Sequence, residues 1–179
     1  MQTDNSLIQL FLPIIQAGLV ADGFTNVTVI QANQPTQQGS PTGPTVYFYK
    51  THTKRYGFLG RQDQWDVNLG RMNHHETQYH ETTFRFQILV LQNVKNPGYT
   101  ASDLADEVAS ILQSDTTRAT LNAQGVGMLR ITDISNPYFT DDRDNFEALP
   151  SFEFTLLYLN DRFSTTPIID TYQYGTYPV

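Results

Sequence analysis

The chain has 179 residues, of which 39% are hydrophobic and 16% charged, and a formal net charge of −7. This length suits a single domain with its own core, and the acidic balance argues against a protein that grips nucleic-acid phosphates. Cysteine is absent, which excludes disulfides, thiolate zinc sites and thiol nucleophiles.

The chain begins with a predicted helix. Residues 5–22 place apolar side chains at the spacing of one buried helical face. Pro13 predicts a kink in this helix or a start close to it, and Gly23 predicts its end. The apolar run at residues 10–15 is too short to span a membrane, so we expect no membrane contact. The cap is expected at one of three neighbouring residues, Asp4, Asn5 or Ser6.

Strands and a long excursion follow this helix. Short β-branched or alternating runs predict strands at residues 26–30 and 45–52, with residues 55–59 pairing back as a hairpin. Residues 31–44 are rich in proline and glycine and predict a loop. Residues 60–75 are polar and contain two glycines, so they predict a protruding loop or hairpin. Segments of this kind in compact domains are usually functional.

The second half alternates strands and helices. A long strand is predicted over residues 80–94 and a helix from Thr100, which forms a near capping box with Asp103. A short helix at 117–123 and a strand at 127–133 follow. The buried faces are expected to carry Phe84, Phe86, Ile88 and Val90 in the strand, and Leu104, Ala105, Val108, Ile111 and Leu112 in the helix.

The segment 136–158 joins a charged, turn-rich corner to an alternating strand. The strand is expected to place Phe152, Phe154, Leu156 and Tyr158 on one face. Residues 168–174 predict a last strand or part of a C-terminal arm that begins at about residue 163. Strands interrupted by helices, without regular βαβ alternation, predict one α+β domain over residues 1–179. Its sheet is expected to be mostly antiparallel, with two main helices packed on it.

A few residues are candidates for chemistry. His74, Glu76 and His80 share one face of the predicted strand, but they are too widely spaced for one tetrahedral metal site unless the backbone bends. The alternative is a polar strand edge. The acidic run 141–147 lacks the ligand pattern of a calcium loop, so a salt-bridged corner is favoured. No catalytic constellation is visible, and neither catalytic residues nor a cofactor is predicted.

Other residues are typical of protein interfaces, where tryptophan, tyrosine and arginine dominate the binding energy. Residues 52–75 combine basic with aromatic residues, and the global acidity favours a protein partner over nucleic acid. The candidate interface residues are Arg61, Trp65 and Arg71 in the excursion, Asp141, Asp142, Arg143 and Asp144 in the corner, and Tyr172 and Tyr174 in the tail.

The layout of the whole chain resembles a known family. The segments that carry the resemblance are QANQP at 31–35, PTVYFY at 44–49, FRFQILVL at 84–91, ASDLADEVASIL at 101–112, DDRDNFE at 141–147 and FEFTLLY at 152–158. In this order they resemble the tail terminator, or neck terminator, proteins of long-tailed bacteriophages.

The resemblance implies a structural role. Such a subunit forms a six-membered ring that caps the tail tube, ends its polymerisation and offers the surface for head–tail joining. It needs no metal or cofactor. The implied partners are further copies of the chain, the tail tube protein, a neck or connector protein and, as a further candidate, the tail sheath protein. DNA would pass through an acidic bore without specific binding. The protein would be made in the host cytoplasm and reside in the virion.

Alternatives stay open at this point. The chain could be a head-completion or connector protein of the neck, a metal-dependent hydrolase that uses His74, Glu76 and His80, or an adaptor domain of a non-viral protein. The tail could be contractile or non-contractile.

Overall fold

The computed structural model describes residues 2–32, 43–90, 98–140 and 146–167. Its helices are α1 (Asp4–Ala21), α2 (Ala101–Gln113) and α3 (Asp115–Ala123). Its strands are β1 (Thr28–Gln31), β2 (Thr45–Asp66), β3 (Arg71–Leu89), β4 (Val126–Ile131), β5 (Tyr138–Thr140), β6 (Phe146–Ala148) and β7 (Ser151–Pro167).

Five of these strands form one sheet in the order β1-β2-β3-β7-β4. Only the pairing of β1 with β2 is parallel, and β5 and β6 form a separate antiparallel pair. The helices cover one face of the sheet. The predicted α+β class with a mostly antiparallel sheet is therefore confirmed.

Helix α1 runs from Asp4 to Ala21, and its cap differs from the predicted one. Thr3 is the N-cap, and its hydroxyl accepts a hydrogen bond from the Ser6 amide while the Ser6 hydroxyl accepts one from the Thr3 amide. The helix continues through Pro13 instead of starting there. Pro13 and Gln9 are both exposed, so the carbonyl that loses its helical partner can bind water.

The core forms where α1 meets the sheet. The Phe11 ring is fully buried, and its centroid lies 5.0 Å from that of Phe84 and 6.0 Å from that of Phe154. The predicted inward faces of the strands are confirmed, because Phe84, Phe86, Ile88, Phe152, Phe154, Leu156 and Tyr158 are all buried. Val90 is half-buried and packs against the same core. Among the described residues, α1 is the one helix long and apolar enough to cross a membrane. Core helices pass the same test, and Leu7, Phe11 and Ile15 are fully buried here.

Helices α2 and α3 follow the prediction closely. Thr100 caps α2, and the Asp103 carboxylate accepts hydrogen bonds from both the amide and the hydroxyl of Thr100. The predicted stripe Leu104, Ala105, Val108, Ile111 and Leu112 is buried. Helix α3 begins two residues before the predicted one and is capped by Ser114.

The long strands differ most from the prediction. The expected hairpin of residues 45–52 with 55–59 is wrong, because both segments belong to the single strand β2, which continues to Asp66. Strand β3 begins at Arg71 instead of residue 80. Both faces of these extensions are solvent-exposed or half-buried, so their sequence lacks the apolar alternation that marks a strand over a core.

Several predicted features lie outside the described residues. They are the corner residues Asp141, Asp142, Arg143 and Asp144, the tail residues Tyr172 and Tyr174, and most of the predicted 31–44 loop. The end of the predicted 80–94 strand and the segment 168–174 also lie outside.

Candidate assembly surface

The three central strands extend past the helices as an arm, defined here as residues 56–79 and 159–167. It contains the ends of β2 and β7, the start of β3 and the turn between β2 and β3. At about 3.3 Å per residue, the eleven arm residues of β2 span roughly 35 Å. None of the arm residues is buried. The arm is thus a three-stranded sheet that lacks a core of its own.

Both edges of the arm lack a neighbouring strand among the described residues. Strand β1 pairs with β2 only as far as Phe48, and β4 pairs with β7 only as far as Tyr158. The outer edge of β2 is therefore open over residues 56–66, and that of β7 over residues 159–167. Open edges of this length are a template for pairing with another chain.

One face of the arm continues the side of the sheet on which the helices pack; we call it the inner face. Its centre is a polar cluster around Asp63. The Asp63 carboxylate lies 2.9 Å from Arg61 Nε and 2.7 Å from His74 Nδ1, while His74 Nε2 lies 2.9 Å from the Thr166 hydroxyl. The hydrogen bond with His74, followed by that from Arg61, holds the pKa of Asp63 below its usual value.

The opposite face, which we call the outer face, carries exposed aromatic and aliphatic side chains. Tyr56, Tyr79 and Leu159 lie side by side across the three strands and are 56%, 50% and 40% exposed. Further along the arm, the His75 ring stacks on Phe163 with centroids 4.4 Å apart, and its Nε2 lies 3.1 Å from the Asp161 carboxylate. This apolar row has no cover among the described residues.

A bulge in β2 projects from the open edge at the base of the arm. Tyr56 pairs with Tyr79 and Gly60 with Thr77, so residues 57–59 face the single residue Gln78. The positive φ of 75° at Gly57 suits glycine. A Cβ on Gly60 would lie 2.6 Å from the Thr77 hydroxyl. Glycine at both positions therefore suits the bulge, in which the Phe58 side chain is 100% exposed.

The distal turn of the arm is also apolar on its surface. The Asp66 carboxylate accepts hydrogen bonds from the amides of Asn68 and Leu69 and so fixes the turn. Val67 and Leu69 are exposed, and Trp65 lies beside the turn at 44% exposure. Of the predicted interface residues, the arm brings together Arg61, Trp65 and Arg71. The remaining six lie outside the described residues.

The metal candidates do not converge. His74 and His80 are six residues apart on β3, whose pairing with β7 has no irregularity, so their Cα atoms are separated by roughly 20 Å. Zinc–nitrogen bonds are about 2 Å long, so one ion cannot bind both side chains. Within the described part of the chain, no group of three His, Cys, Asp or Glu side chains is placed to hold a metal.

A groove lies between the three helices. Its volume is about 560 Å³, and its lining includes Ile14, Ala17, Gly18, Glu107, Ser110 and Ile111. Helices α1 and α2 approach closely at Gly18, which has no side chain. A Cβ at this position would lie 2.8 Å from the Ile111 side chain. Asp22 also lines the groove, beside Glu107. Burial raises the pKa of Glu107, and the hydrogen bond with Asp22 and its negative charge raise it further.

Comparison with known proteins decides the family. The family model of the E217 gateway protein gp29 matches residues 6–168 of the chain. The chain belongs to the E217 gateway protein gp29 family. No curated protein matches it. Because this gateway family is a family of phage structural proteins, the protein is a structural component of the phage neck, where head and tail join. The recognition of a phage neck protein from the sequence is thereby confirmed.

Most of the candidate assembly surface of this gateway protein could not be predicted from the sequence. The row formed by Tyr56, Tyr79 and Leu159 comes from three strands, and no local pattern shows that these residues are neighbours. The helical groove likewise needs three helices to form it. Two glycines three residues apart with an aromatic residue between them, Gly57, Phe58 and Gly60, were the available signal for the bulge.

Proposed function

We propose that this gateway protein assembles into a ring, with six copies as the expected number, that caps the tail tube. The ring ends tube polymerisation and presents the surface on which the filled head docks. Its partners are then further copies of the chain, the tail tube protein and a neck or connector protein, with the tail sheath protein as a further candidate. Membership of a structural family favours a protein without catalytic activity.

The arm is the observation that supports this proposal. A small sheet needs a hydrophobic face or a helix packed against it to be stable on its own in water. The arm exposes Tyr56, Tyr79 and Leu159 on one face and has two open edges among the described residues. Neighbouring subunits in an assembly would cover these surfaces and pair with these edges.

The kind of contact favours a ring. The two edges of the arm belong to different strands, β2 and β7, and its apolar row lies on one face only. A contact between two different surfaces of identical subunits repeats from copy to copy and closes when the rotation allows it. The net charge of −7 per chain suits a bore through which DNA moves without being held.

The test measures assembly directly. The purified full chain is studied by native mass spectrometry and negative-stain imaging over a range of concentrations, alone and with tail tube protein. We expect one closed stoichiometry, with six as the predicted number, and tubes that stop growing when the ring is added. A chain that stays monomeric under all these conditions would refute the ring.

The position in the particle is a separate measurement. A cryo-EM map of the virion should show the ring on the last ring of the tail tube. A ring seated on the portal side, without contact to the tube, would instead assign the protein to head completion or to the connector.

A further inference from the structure

The Phe58 bulge is a projecting apolar knob with basic residues next to it. Phe58 is fully exposed, and the hydrogen bond from Gln78 Nε2 to the Gly57 carbonyl, 3.3 Å long, helps to hold the bulge. Arg55, which precedes the bulge, lies on the inner face and pairs in register with His80. A bulge interrupts pairing along its edge, so residues 57–59 are suited to present a side chain, while the edge at residues 61–66 stays available for strand pairing.

The helical groove is the complementary feature. At about 560 Å³ it has the size of a typical binding pocket. Its lining includes small residues of α1 and α2, such as Ala17 and Ser110, and the closely packed pair Gly18 and Ile111. A groove of this volume with small side chains in its lining has room for an aromatic ring.

Charge distinguishes the two surfaces as well. The helices carry the acidic residues Asp4, Asp103, Asp106, Glu107 and Asp115 and the single basic residue Arg118. In the groove itself, Glu107 and Asp22 lie together, and none of the described residues that line it is basic. The knob is preceded by Lys54 and Arg55. A guanidinium can bind two carboxylates at once.

We propose that Phe58 of one copy inserts into the helical groove of the next copy, with Arg55 placed beside Asp22 and Glu107. This inference rests on the proposed ring and names the surfaces that join its subunits. The contact is heterologous, because the knob and the groove are different surfaces. Each copy therefore supplies one knob and receives another, as a closed ring requires.

The first test compares substitutions by their effect on ring formation. Phe58→Ser should raise the concentration needed for assembly at least about tenfold, since buried aromatic anchors dominate interface energies. Val20→Ser is the matched control, because Val20 is an exposed residue of α1 that does not line the groove. Arg55→Glu should weaken the ring, and its combination with Glu107→Arg should restore assembly.

The second test uses the absence of cysteine from the chain. Phe58→Cys and Ser110→Cys are made as separate variants, mixed and oxidised. We expect a disulfide between the two variants in the mixture. Each variant oxidised alone serves as the control and should give far less cross-linked product. Because each variant carries one cysteine, any such bond joins two different chains.

The outcomes separate this inference from the proposed function. A wild-type chain that never assembles refutes the ring itself. A ring that forms equally well with Phe58→Ser, or that yields no mixed disulfide, refutes the knob-and-groove contact while leaving the ring intact. Both a weakened ring and a mixed disulfide are required to support it.

Discussion

Replacement of Phe11 by alanine should be among the most damaging single changes in this protein. The Phe11 ring is fully buried and contacts four other rings, with centroid distances of 5.4 Å to Phe48, 5.0 Å to Phe84, 5.9 Å to Phe86 and 6.0 Å to Phe154. Truncation of a buried phenylalanine to alanine costs about 3–5 kcal/mol. Aromatic pairs contribute about 0.5–1.5 kcal/mol each beyond area burial.

We therefore expect Phe11→Ala to lower the free energy of unfolding by about 4–5 kcal/mol. For a domain of this size, each kcal/mol shifts Tm by about 2–4 °C, so Tm should fall by about 8–20 °C. The loss is a large part of the total, because domains are stable by only about 5–15 kcal/mol.

The assay is urea unfolding followed by far-UV circular dichroism, at a concentration at which the chain is monomeric. This condition matters because assembly adds to the apparent stability. The midpoint should fall without a change in the m value. Phe58→Ala is the control: Phe58 is fully exposed, so the change should stay within about 0.5 kcal/mol. A loss below about 2 kcal/mol for Phe11→Ala would contradict the reasoning, since even the low end of the expected range is larger.

Three further predictions concern the arm and the groove. Replacement of residues 62–75 by Asn-Gly, a two-residue turn that suits a hairpin, removes no buried side chain. The monomer should therefore keep its circular dichroism spectrum, while the ring or its docking on the tube weakens. Loss of the monomer fold would show that the segment belongs to the core. The pKa of Asp63 is lowered in the folded chain. The ionised carboxylate therefore stabilises the fold above the pKa that Asp63 has in the unfolded chain, and this stabilisation is lost as pH falls through the pKa in the folded chain. The fluorescence of Trp65, the single tryptophan, should therefore report arm opening on acidification below about pH 4. If an Asp63→Asn variant shows the same change in fluorescence with pH, the change does not come from protonation of Asp63. The raised pKa of Glu107 means that stability is lost as pH rises from its unfolded pKa through the folded one. Glu107→Gln should consequently raise the Tm of the monomer at neutral pH while it weakens the ring. A lowered monomer Tm would contradict the assigned cost of burying the Glu107 charge beside Asp22.

The sequence alone determined the parts of this protein that depend on local spacing. The buried faces of α1, α2 and β7 follow from apolar residues at helical or alternating intervals. The cap at Thr100 follows from a hydroxyl residue three positions before a carboxylate. The phage neck family was also recognisable from the order of such segments along the chain, and the family model matches residues 6–168.

The tertiary structure decided the candidate assembly surfaces, namely the arm and the helical groove. Residues 53–66 of β2 form a strand because β3 pairs with them, although no core lies beneath to impose an apolar alternation. The row of Tyr56, Tyr79 and Leu159 depends on the register of three strands, in which a shift of one residue would move each side chain to the other face. The groove depends on the close approach of Gly18 to Ile111, almost a hundred positions away in the chain. Strand register and helix packing are set by contacts between residues that are distant in the sequence. The local periodicity of the sequence does not show which distant residues are in contact.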